Sequence, residues 1–207
     1  MEASLQSKGT LMTRVIPCPK APIAWRIQNS LRWAFIRGWI AYHIAPSLAK
    51  LFGFGTFTSR LSLKLHRASG EWVDYGVVDY RVVTTAFITA LATALHTQAS
   101  AGDLFYHALG TGTTAAAITD TGMGTELTTE YTGDVRATGT HTSAAGVYES
   151  VGTNTIDSGT PAVTEHGVMG AASGASTLID RHVFSAVNMV SGDSLVSTYQ
   201  LTFTAGG

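Results

Sequence analysis

Few side chains in this sequence could do chemistry, and the most suggestive pair is Glu165-His166 in the stretch AVTEHGVMG, where a carboxylate sits beside an imidazole and a glycine follows. The segment reads as a strand, and consecutive strand residues leave opposite faces. On a regular strand this pair therefore cannot serve one substrate atom. It is assigned to architecture, with the carboxylate accepting hydrogen bonds on one side and Gly167 permitting a bend or bulge beside it. Seven histidines are present, none in HExxH or another short spacing that would hold zinc. His107, His141, His166 and His182 could meet only through the fold, for instance at a subunit contact; a lone strand histidine is expected on the polar face.

Two further stretches invite a catalytic reading. Gly192-Asp193-Ser194-Leu195 carries the four letters that mark a family of serine esterases, with Ser194 in the place of the nucleophile. In that family the block opens the domain and its Asp and His lie far downstream, whereas here Val196 to Gly207 contain neither. Turn chemistry at Ser191-Gly192-Asp193, before a final strand beginning at Leu195, is the simpler account. GTGTT at 110–114 is glycine-rich, but no Gly-Lys-Ser/Thr follows and no lysine occurs after Lys64, so a phosphate cradle lacks its cation. Its glycines are expected to supply positive φ. The single cysteine, Cys18, allows no internal disulfide and no Cys-rich metal site. No catalytic, cofactor-binding or metal-ligating residue is assigned, and no cofactor.

The elements that must position these residues differ along the chain. Residues 1–53 carry seven basic residues against Glu2 alone, a net of +6, while 54–207 carry six against thirteen acids, a net of −7. Trp25, Trp33 and Trp39 lie upstream and only Trp72 downstream. This divides the chain into a basic, aromatic N-terminal arm or extension, 1–53, and a body, 54–207. With 13% charged residues, about half the usual share, the surface is neutral and hydroxyl-rich, which disfavours direct nucleic-acid binding. Ile23, Ile27, Leu31, Phe35 and Trp39 recur at i+4 and predict a helix that Pro46 ends near Ala45. Arg32 and Arg37 interrupt any membrane span, and membrane contact is not expected. An arm without a fold of its own, or a start read too early with the natural one near Leu48, accounts for the abrupt change; a membrane-surface or groove-docking helix is the functional alternative.

The body reads as mainly β. Leu61, Leu63 and Leu65 alternate with polar residues, ASGE at 68–71 is a turn, and WVDYGVVDY completes a hairpin. Val83, Phe87, Leu91 and Leu95 mark the one helix of the body, capped by Thr84 or Thr85 and covering an end or edge of the sheets. Short apolar segments between Gly, Thr, Asp and Ser clusters then predict an antiparallel β-sandwich or jelly roll, with Leu195, Ser197, Tyr199, Leu201 and Phe203 on one inward face. Gly110 to Thr132 is a long loop with a short helical turn around 124–129.

The order of these blocks, from GTGTT through Thr164-Glu165-His166-Gly167, Leu178 to Phe184 and Gly192 to Phe203, resembles a family of small structural proteins of tailed-bacteriophage particles. The likeness covers Leu48 to Gly207 and not the arm. It implies a non-enzymatic virion protein of head-decoration (capsid) or tail/fibre type, partnered by other capsid or tail subunits. A homo-oligomer, most plausibly a trimer, is expected. A carbohydrate- or receptor-binding sandwich module, using Trp72, Tyr75, Tyr80, Tyr131 and Tyr148 on its rim, is the alternative; a hydrolase is the weaker rival.

Overall fold

The computed structural model of the chain describes residues 18–52, 56–81, 83–97 and 106–204. Among these residues the fold is mainly β, with two antiparallel sheets and three helices. In chain order the elements are α1 (Ile23–Ser30), α2 (Trp33–Phe52), β1 (Thr56–His66), β2 (Trp72–Arg81), α3 (Thr85–Thr97), β3 (Tyr106–Gly110), β4 (Ala137–Thr138), β5 (Thr140–Ala144), β6 (Val147–Thr155), β7 (Ala162–Met169), β8 (Leu178–Asn188) and β9 (Ser194–Thr204). One sheet runs β2-β1-β9-β6-β5 and the other β4-β3-β7-β8.

The alternation in β1 does what its period requires. Leu61, Leu63 and Leu65 lie opposite Tyr199, Ser197 and Leu195 of β9, and all six are fully buried. The three leucines and Leu195 share one core with Leu109 of β3, Val163 of β7 and Phe184 and Val187 of β8, so residues of both sheets meet in one interior. Phe203 departs from the expected inward row. It sits at the sheet's end, 42% exposed, in edge-to-face contact with Phe57 across the β1–β9 pair. The segment VRATGTHT holds two short strands: β4 belongs to one sheet and β5 to the other, with Gly139 alone between them.

α3 is anchored by Thr84, whose hydroxyl accepts the Phe87 N–H at 3.2 Å and donates to the carbonyls of Leu178 and Ile179. The cap thus also fastens the helix to β8, and Val83 and Phe87 close over Val168, Ile179, Tyr199 and Leu201.

The upstream helices are fastened to the two sheets at their β2 and β8 margins. Asn29, 2% exposed, donates to the Val78 carbonyl of β2 at 2.7 Å and accepts the Ser185 N–H of β8 at 3.0 Å. One amide thereby bridges the outermost strands of both sheets. Trp25 Nε1 donates to the Ala186 carbonyl at 2.9 Å, Arg32 to that of Val183, and residues 19–21 exchange backbone bonds with Asp74. The expected helix is broken at Leu31-Arg32, and α2 then continues past Pro46 to Phe52. Proline removes one intrahelical donor, and the helix continues without it. Gly38 is where α2 touches β2: a Cβ there would stand 2.0 Å from the Tyr80 carbonyl oxygen.

Asn29→Ala orphans an N–H and a C=O at once, and each buried unpaired group costs about 1–3 kcal/mol. Denaturant unfolding of this variant is expected to show a loss in that range or above, with an unchanged slope.

Candidate functional site

Strands β7 and β8 carry two polar constellations back to back. His166 lies opposite His182 and Gly167 opposite Arg181, so strand alternation sends Glu165 and Arg181 to one side of the sheet and the two imidazoles to the other. The physical requirement on each side is the same: a polar group withdrawn from water needs partners.

On the outer side the Glu165 carboxylate is fully buried. One oxygen accepts the N–H groups of Gly112 at 3.0 Å and Thr125 at 2.6 Å; the other accepts Gly124 N–H at 3.0 Å and Arg181 Nε at 2.7 Å. Arg181 also reaches Asp120 at 3.0 Å. Burial alone would raise the Glu165 pKa; the Thr125 and Gly124 amides and the Arg181 guanidinium outweigh it and hold the group below the ordinary carboxylate range. Both arms of the 111–132 segment are thus tied to one anion. No helical turn forms at 124–129; Glu126 instead bridges Gly110. The glycines of GTGTT are also explained differently from expectation. Neither Gly110 nor Gly112 has positive φ, and a Cβ on either would lie 2.5 Å from a Glu165 oxygen. They are small because a carboxylate must come close. Gly167 likewise makes room for Met123, whose sulfur a Cβ would meet at 2.3 Å, and the strand's irregularities fall on either side of it.

A second clamp lies nearby. Arg136, 5% exposed, binds both oxygens of Glu126 at 2.6 and 2.9 Å and the carbonyls of Ala171 and Gly174. It walls a cavity of about 560 Å³ shared with Met123, Tyr131, Met169 and Ser176. Tyr131 closes the base of the segment by donating to the Leu109 carbonyl and accepting its N–H.

On the inner side three histidines form a row across β3, β7 and β8, each with no exposed surface. His107 Nε2 is 2.8 Å from Ser150 Oγ, and His107 Nδ1 is 2.9 Å from His166 Nε2. His166 Nδ1 has no hydrogen-bond partner. The tautomers that leave no buried N–H orphaned therefore have His166 Nε2–H donating to His107, and His107 Nε2–H donating to Ser150. Gly152 on β6 accommodates this ring, since a Cβ there would stand 2.5 Å from it. His182 follows, its ring centre 6.2 Å from that of His166, with Asp180 at 3.4 Å on one nitrogen and Asp79 at 3.6 Å on the other. Ser59 donates to Asp180, and Asp79 accepts the Val183 N–H.

The environments split the three pKa values. Burial lowers His107 to about 4, and burial with the fields of His107 and His182 puts His166 well below the ordinary value. Burial alone would lower His182 as well, but Asp180 and Asp79 outweigh it and hold it at about 9. The row is thus two neutral imidazoles and one imidazolium. It stitches the sheets together through Ser150, Ser59 and Asp79.

The other residues singled out in the sequence lie apart from the row. His141 is exposed on β5 and stacks on Tyr148, so only three of the four candidate histidines converge, and they do so inside the core rather than on a polar face. Ser194 Oγ shares a hydrogen bond with Thr155 at 2.8 Å; Asp193 is held by Arg67 and the N–H groups of Ala68 and Val190. Of the aromatics considered for a glycan rim, Trp72 is 40% exposed and stacked on His66, whereas Tyr80 and Tyr131 are buried. Among the described residues no group of three or more His, Cys, Asp or Glu is arranged to hold a metal ion, and no helix is long and apolar enough to cross a membrane.

The chain matches no protein-family model, no curated protein and no solved structure.

Sequence reasoning passed over Asp79, Asp180, Arg181 and Arg136. A usable signal was present in Ile179-Asp180-Arg181-His182: three ionisable groups in succession inside an apolar strand must be paired once buried.

Glu165→Gln leaves Arg181 short of its buried counter-charge and is expected to cost about 3–5 kcal/mol. Hydrogen exchange should show amide protection lost first across 111–132. Stability should also peak near pH 6.5. Below that value the unfolded chain takes up protons that His107 and His166 refuse in the fold, so stability falls with acid. Above it the folded His182 keeps a proton that the unfolded chain has released, so stability falls again until about pH 9. Each group contributes a slope of about 1.4 kcal/mol per pH unit. Thermal melts across this range check both limbs, and His182→Asn is expected to flatten the alkaline one.

Proposed function

We propose that the chain is a non-enzymatic structural protein of a tailed-bacteriophage particle, a homo-oligomeric building block of the head surface or the tail. The observation that carries this reading is the use made of the ionisable groups. Glu165 and Arg181 fix a long surface segment, and the histidine row joins one sheet to the other, so both constellations serve rigidity. The resemblance in block order over Leu48 to Gly207 points to the same class of protein.

In this reading the two sheets form a β-sandwich of jelly-roll type spanning 54–207, with the N-terminal helices laid along one side. The partners are other virion subunits and further copies of the chain, in trimers or larger rings, and the surroundings are those of a virion. The neutral, hydroxyl-rich surface suits a part that must ignore bystanders, and the lack of a basic body argues against direct contact with packaged nucleic acid. A glycan- or receptor-binding module of a tail fibre is the second reading. Trp72, exposed on its His66 support, is the observation in its favour, while the burial of Tyr80 and Tyr131 removes two of the five aromatics it would use.

Quantitative proteomics of purified particles from the strain that encodes the chain is the test. The protein is expected among the virion components, at high copy number if it decorates the shell and at low copy number if it belongs to the tail. Its absence from particles overturns the proposal.

A further inference from the structure

The helices α1 and α2 pack Trp25, Phe35 and Tyr42 against β2 and leave other apolar residues facing outward. In α1 the buried residue is Asn29, while Ile23, Ile27 and Leu31, spaced four apart, are 72, 52 and 69% exposed. In α2 a second row, Ile40, Ile44 and Leu48, again spaced four apart, is 43, 45 and 47% exposed. Ile23, Ile27 and Leu31 belong to the row whose period marks the helix in the sequence, while Phe35 of the same row packs on Tyr80 of β2. Apolar rows left in water in this way ordinarily mark a contact surface.

Charge selects the occupant. Residues 18–52 contain Lys20, Arg26, Arg32, Arg37 and Lys50 and no acid, and Arg26 and Arg37 are exposed. Residues 1–17 add Lys8 and Arg14 against Glu2, so that segment carries the same sign as the face it would have to cover. Two copies meeting helix to helix would likewise set cation against cation. The remainder of the chain has the opposite balance. Asp134 and Asp157 are exposed there on adjoining turns, joined by the bond from Asp157 N–H to the Glu130 carbonyl and that from Asp134 N–H to the Tyr131 carbonyl. Val135 and Val190, 46 and 47% exposed, flank them. An anionic lipid surface would attract the helices and repel this body, whereas a second copy satisfies both charge sets.

We propose that the apolar, cationic face of α1 and α2 docks on the acidic surface around Asp134 and Asp157 of a second copy. The contact rests on the reading of the chain as a particle component and gives that component its mode of assembly. Its two surfaces differ, so it does not close in pairs; each copy offers one of each, and the contact repeats into a ring or filament.

Sedimentation velocity on the full chain tests it. Association is expected at micromolar concentration and low salt, and should weaken about tenfold when salt screens the charges. Arg26→Glu/Arg37→Glu is expected to be monomeric, as is Asp134→Lys/Asp157→Lys; mixing the two should restore assembly. Ile27→Ser/Leu31→Ser keeps every charge and should weaken association at unchanged circular dichroism. A wild-type chain that stays monomeric, or charge-reversed variants that fail to rescue each other, overturns the proposal. So does flotation on phosphatidylserine vesicles, lost in Arg26→Glu/Arg37→Glu, without self-association. A chain found in particles yet monomeric alone sinks this contact and leaves the particle assignment standing; a chain that assembles but is absent from particles does the reverse.

Discussion

A carboxylate removed from water must be surrounded by donors, and Glu165 is where this fold meets that demand most fully. Withdrawing such an ion costs several kcal/mol even after relaxation. Three backbone N–H groups and a guanidinium offset the cost, and each of those donors has to be brought from elsewhere in the chain. Gly112, Gly124 and Thr125 are therefore fixed in place, the segment between β3 and β4 is folded back over β7, and Gly110 and Gly112 can carry no side chain. Because the strand alternates, placing Glu165 outward also places His166 inward, where it meets His107 and faces His182 across the strand pair. One residue's solvation thus orders both faces of a sheet.

Much of the framework was legible because it follows from local period. The β1–β2 hairpin, the Thr84 cap and the inward row Leu195, Ser197, Tyr199 and Leu201 are two-fold or helical patterns that need no knowledge of distant partners. Glu165 as an acceptor of hydrogen bonds was legible for the same reason, since an acid on one side of a strand is separated from its neighbour on the other. The donors were not, because Gly112, Thr125 and Arg181 lie from 16 to 53 residues away and nothing in their own neighbourhoods announces the meeting. The histidine row is hidden likewise: polar-face placement is the sound expectation for one strand imidazole, and only three strands brought side by side turn that expectation over.

Helical period misled in a more instructive way. The i+4 spacing from Ile23 to Trp39 marked helix but neither its break at Leu31-Arg32 nor its continuation past Pro46, and period reports which residues share a face and not what that face meets. Asn29 decides the orientation of α1, since the edges of two sheets present an unpaired carbonyl and an unpaired N–H that a side-chain amide can satisfy together. At Gly38 the same logic holds in reverse, with the smallest residue drawn to the closest approach.

The passage of the chain from β4 to β5 through Gly139 has a mechanical consequence. At that margin the sheets share a spine one residue wide, whereas at the opposite margin β2 and β8 are held by side chains such as Asn29 and Asp79. Across the sheet the histidine row runs from one kind of margin to the other, with the imidazolium of His182 on the strand fastened by side chains and the ring of His107 beside the covalent spine.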